Sequence, residues 1–117
     1  LSTDGSILAI GAKGNDGAVG NLQWNAGHVR VYIYQSGAWK QIGNDIDGEY
    51  SFDNSGISLS LSSDGNRVAI GAPGNDDGGI DAGHVRVYEH NPISLSQWDQ
   101  VGTDIDGEVA GEFAVSF

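Results

Sequence analysis

The chain has 117 residues, a net charge of −11, 19 glycines and no cysteine. Five Lys and Arg cannot neutralise a phosphate track, so nucleic acid and anionic membrane surfaces are poor partners, whereas cations and basic surfaces are easier ones. Disulfides and a cysteine nucleophile are ruled out, and no apolar run approaches the ~20 residues that insert across a bilayer.

The organisation is repetitive. Leu1–Gly5 matches Leu61–Gly65, Ala9–Ala12 matches Ala69–Ala72, Ala26–Tyr32 recurs unchanged as Ala82–Tyr88, and Gly43–Glu49 recurs as Gly102–Glu108 with one change. The chain therefore reads as two tandem copies of one unit of about 60 residues. The predicted fold class is all-β, with glycine-punctuated β-branched runs and no sustained helical period.

In chain order, the Asp4-Gly5 pair predicts a tight hairpin, because glycine supplies positive φ cheaply. A short apolar strand follows over 8–12, then a long loop carrying Trp24 in Asn21–Asn25, then a strand over His28–Tyr34. A Gln35–Ala38 turn leads into a strand over Trp39–Gly43, and Asp45–Glu49 closes the first copy. The second copy opens on Gly56–Ser62, where Ile57, Leu59 and Leu61 alternate with serines as a half-buried strand requires. Asp64-Gly65 then turns into Arg67–Ala72, a nearly continuous apolar run of the kind buried on both faces. The Asn75–Asp81 loop, the strand His84–Glu89, the turn Asn91–Ser94, the strand Trp98–Gly102 and the acidic Asp104–Glu108 complete it. Each copy is expected to form one blade of four antiparallel strands, with 1–54 as the first repeat lacking most of its first strand and 55–112 as the second. Residues 113–117 match 55–59 and begin a third. Two such blades are incomplete on their own, their open faces and edges needing further blades or copies of the chain.

Val68–Pro73, Leu8–Lys13 and Gly111–Phe117 together resemble the FG-GAP repeat of integrin-α-type β-propellers, in the variant found in large secreted or cell-surface proteins of bacteria and some microbial eukaryotes. The resemblance covers essentially the whole chain. It implies a propeller, commonly seven-bladed in integrins, that works outside the cell or at its surface in contact with protein or glycan. The family's Asp-x-Asp-x-Asp-Gly calcium loop is reduced here to Thr3–Ser6 and Ser63–Asn66, too few oxygens for a Ca²⁺ cage of six to eight ligands.

Calcium stays a candidate elsewhere. Asp45, Asp47 and Glu49, and again Asp104, Asp106 and Glu108, offer hard oxygen ligands around a glycine; the alternative is that they simply build an inter-blade turn. Candidate ligand contacts are Trp24, an exposed anchor or else a side chain tucked against the next blade, and Asn75, Asp76, Asp77 and Asp81 of the variable loop. His28 and His84 are read as strand-start histidines satisfied by backbone groups, and Trp39 and Trp98 as blade-to-blade core. No unique nucleophile or carboxylate pair stands out of the repeats, so the expected function is a non-enzymatic adhesion, recognition or structural module. The alternative is a self-assembling unit that closes a ring or forms a filament.

Overall fold

A computed structural model describes residues 1–15, 24–76 and 79–111. Among them there is no helix, only nine strands in two antiparallel sheets. The first sheet holds β1 (Ile7–Ala12), β2 (His28–Gln35), β3 (Ala38–Gln41) and β4 (Ile46–Asp47). The second holds β5 (Ser58–Leu61), β6 (Arg67–Ala72), β7 (His84–His90), β8 (Trp98–Gln100) and β9 (Ile105–Asp106).

The two sheets use the same local devices. At the hairpin tips, Asp64 Oδ1 accepts from Asn66 N at 2.9 Å and Ser62 Oγ at 2.7 Å, while Gly65 takes φ +75°. Asp4 repeats this with Ser6 N and Ser2 Oγ, beside Gly5 at φ +76°. The fourth strand of each predicted blade is not continuous. β3 pairs with the far half of β2, Tyr32 facing Gln41, and β4 pairs with its near half, Val29 facing Ile46. Residues 42–45 bow out between them, and residues 101–104 do the same between β8 and β9. Each excursion is a bulge that re-aims a side chain, Asp45 or Asp104, back over its own sheet.

The sheets meet through unlike faces. Val29, Val31 and Ile46 of the first sheet pack on Val68, Ile70 and Trp98 of the second, joined by Ile7, Ala9, Ile42, Leu59, Leu61 and Tyr88. Register places His84, Arg86 and Tyr88 on the same face as Ala72, Ile70 and Val68, so this mixed face of the second sheet is the one turned to the first. The matching face of the first sheet, with His28, Arg30, Tyr32 and Trp39, points outward. Trp98 is thus 4% exposed and Trp39 44%, so the expectation of a core tryptophan holds for Trp98 alone among the described residues. Trp98 Nε1 donates to Ile42 O at 2.9 Å, Asn44 N to Ser96 O, and Thr3 N to Ser63 O, tying the sheets together by polar contacts. Backbone approach is close enough that a Cβ on Gly11 would lie 2.0 Å from Gly56 O, and one on Gly48 2.0 Å from Ala26 O.

Candidate functional site

β1, β4, β6 and β9 all run out at the end of the sheets where β2, β5 and β7 begin. The long loops therefore gather at one end, and the tight hairpins at the other. On the loop end Phe52 N donates to Trp24 O at 2.6 Å, Asn54 N to Asn25 O, and Ser55 N to Ala26 O, so the two loops of the first sheet are laced by backbone. Asn25, Phe52 and Asn54 adopt left-handed φ of 53°, 65° and 55°, an uncommon conformation for residues other than glycine. This backbone leaves Trp24 56% exposed and Phe52 60% exposed, with Tyr50 beside them also exposed. Trp24 does not tuck against the rest of the described chain. Tyr50 and Phe52 escaped sequence reading because Val109 and Gly111 stand at the matching positions, so nothing in the repeat pattern marked them.

The variable loop of the second copy is placed differently from expectation. Asn75 is completely buried: its Nδ2 donates to Asp53 Oδ2 at 2.9 Å and its carbonyl accepts from Gly83 N, which makes it a latch between loops and not a solvent-facing ligand contact. Asp76 is exposed and its Oδ1 accepts from Asp81 N at 2.9 Å, while Asp81 itself is half-buried with φ 54°. Asp77 lies outside the described residues, as do Asn21 and 112–117.

The acidic segments are partly committed to arginines. Asp45 takes Arg30 Nε and Nη2 at 2.9 and 3.1 Å together with Gln41 Nε2, and Asp104 takes Arg86 Nε and Nη2 at 2.8 and 2.9 Å together with Gln100 Nε2. These fork-shaped bonds hold both carboxylates below their ordinary range, Asp104 down to about 2. Burial acts oppositely on Asp47 and Asp53, pushing both carboxyls up. Glu49 crosses the seam and pairs with Arg86 of the second sheet. Glu108, its counterpart, is exposed.

Around His84 these groups converge. Its Nδ1 lies 3.9 Å from Glu49 Oε1, 3.8 Å from Asp104 Oδ2 and 3.8 Å from Asp106 Oδ1. His84, Asp104 and Asp106 form one cluster of possible metal ligands, and Glu49, Asp53 and His84 another. His28, Asp45 and Asp47 form a third in the first sheet. The reading of His84 as a histidine satisfied by backbone does not extend to its buried Nδ1, which has no hydrogen-bond partner. Ladder register explains why: Asp106 faces His84 directly, so the ring is surrounded by carboxylates instead of carbonyls. Arg30 and Arg86, which sequence reasoning passed over, were visible in it as the one cation kept in both copies of the third strand.

No protein-family model matches the chain, and no curated protein matches it.

Proposed function

We propose that this chain is a non-enzymatic recognition module of FG-GAP-like propeller blades, acting outside the cell or at its surface and binding protein or glycan through its loop end. The observation that carries this reading is the pair Trp24 and Phe52, exposed together and joined by a backbone hydrogen bond. Large aromatic faces fixed on laced loops give contact area at low entropic cost. The test is binding of the chain to an immobilised oligosaccharide panel and a panel of secreted proteins, repeated with Trp24→Ala and Phe52→Ala. A loss of about tenfold or more in both variants supports it. Unchanged binding in both removes this surface, and no binding to either panel removes the function.

A second reading, self-assembly, is favoured by the faces. The outward face of the first sheet carries His28, Arg30, Tyr32, Trp39 and Gln41, matching residue for residue the second-sheet face that already packs on the first: His84, Arg86, Tyr88, Trp98 and Gln100. The outward face of the second sheet carries Val85, Val87 and Ile105, matching the receiving Val29, Val31 and Ile46. A further copy can repeat the internal interface at either end. Mass measurement across concentration tests this, with Trp39→Glu and Ile105→Glu as face-specific blocks. Each variant alone stays a monomer and an equimolar mixture forms a dimer, since one intact face of each kind remains. A wild-type chain that stays at 12.2 kDa at all concentrations overturns it.

A further inference from the structure

We infer that the seam between the two sheets binds one transition-metal dication of the Zn²⁺ type, ligated by His84 Nδ1 and by Asp104 and Asp106 of the second sheet. The His84 side chain is 4% exposed and its Nδ1 is unpartnered, although a buried ring nitrogen ordinarily finds a partner. The separations of 3.8 to 3.9 Å from Nδ1 to the three carboxylate oxygens are too long for hydrogen bonds. Two ligands on bonds of about 2.1 Å to a tetrahedral ion stand roughly 3.4 Å apart, so the 3.8 Å from Nδ1 to Asp104 and to Asp106 closes onto an ion with side-chain shifts of a few tenths of an ångström.

Charge and donor type select the occupant of the His84, Asp104 and Asp106 cluster. Glu49, Asp53, Asp104 and Asp106 surround His84, and Arg86 is the guanidinium that answers them. Arg86 engages Asp104 and Glu49, but each carboxylate has about four lone-pair sites, so bonds to arginine leave lone pairs for a metal. The remaining negative charge favours a dication over a neutral water. The imidazole nitrogen then discriminates among dications, because Ca²⁺ and Mg²⁺ take oxygen ligands while Zn²⁺ and its neighbours take nitrogen with carboxylate. In the His28, Asp45 and Asp47 cluster only Asp45 Oδ2 lies within ion-pair distance of Nδ1, at 3.7 Å, whereas three carboxylates surround that of His84. One site per chain is therefore expected.

The experiment is titration of the chelator-stripped full chain with ZnCl₂ by calorimetry, with CoCl₂ as the spectroscopic substitute. The expected result is saturable binding of one metal per chain, a Tm rise of about 10 °C at roughly a hundredfold excess over Kd, and cobalt visible bands. His84→Gln and Asp106→Asn each weaken binding by about 100-fold and alter the cobalt bands, whereas His28→Gln changes neither. Circular dichroism checks that each variant folds; if His84→Gln does not, Asp106→Asn at its strand end decides. The inference is overturned by absence of one-to-one binding, by binding that survives both variants, by loss in His28→Gln alone, or by displacement of Zn²⁺ by an equal concentration of CaCl₂.

Discussion

Trp98 Nε1 of the second sheet donates to the carbonyl of Ile42 in the bulge of the first, at 2.9 Å. The same ring lies in the apolar core with Val29 and Val31. One side chain thus joins the sheets by both an apolar and a polar contact, and the two are separable. Trp98→Phe keeps most of the ring and strands the carbonyl, costing about 1–3 kcal/mol; Trp98→Ala adds a cavity and costs about 3–5 kcal/mol. Trp39→Ala, on the outward face, costs far less. Urea denaturation of the three variants measures the order.

Glu49 and Arg86 couple the sheets electrostatically across the same seam. A double-mutant cycle with Glu49→Gln and Arg86→Ala is expected to return a coupling of about 1–3 kcal/mol, because both side chains are largely shielded from water. The same cycle on Arg30 and Asp45, a more exposed pair, returns a smaller value that fades with added salt.

Gly48→Ala is expected to destabilise by more than about 2 kcal/mol, since its Cβ would meet the Ala26 carbonyl at 2.0 Å and backbone would have to move. Gly102→Ala meets no atom and suffers only from its φ of +73°. Comparing the two by thermal melts separates close approach from backbone strain.

Asp4 and Asp64 accept backbone bonds at the hairpin tips, from Ser6 N and Asn66 N, and these hold both carboxyls below the ordinary value of 3.8. Asp45 is lowered by Arg30. For a carboxyl whose folded pKa is depressed, the unfolded chain binds more protons in the window between the two values. The stabilisation is therefore complete above pH 3.8 and lost as pH falls below it. Denaturation at a series of pH values, in chelator, is expected to show this acid limb, and Asp64→Asn to flatten it. An acid limb unchanged in that variant removes the assignment.

Much of the fold was legible in the sequence. The alternation of Val85 and Val87 against His84, Arg86 and Tyr88 gave a strand with two distinct faces, and Asp-Gly gave the hairpins. What was hidden is the break in the fourth strand. β4 and β9 are two residues long, so they carry no periodicity, and the acidic segment containing them read as a turn or a ligand loop. For the candidate site, Trp24 was visible as a tryptophan in a polar loop, but its partners Tyr50 and Phe52 belong to one copy only. Asn75 looked like loop surface but is buried and bonded to Asp53, a pairing 22 residues apart that no local pattern encodes.

The two faces of each sheet differ, aromatic and charged on one, aliphatic on the other, and this rules on symmetry. Contact between the same faces of two molecules would set the Arg30–Asp45 pair on its own copy, or valine on valine, around a twofold axis, and neither repeats the contact that joins the two sheets. Contact between unlike faces has a head and a tail: every addition consumes one surface and presents an identical one. Growth of that kind has no internal stopping point, so its end is fixed by curvature alone, by whether the rotation from sheet to sheet returns to its start.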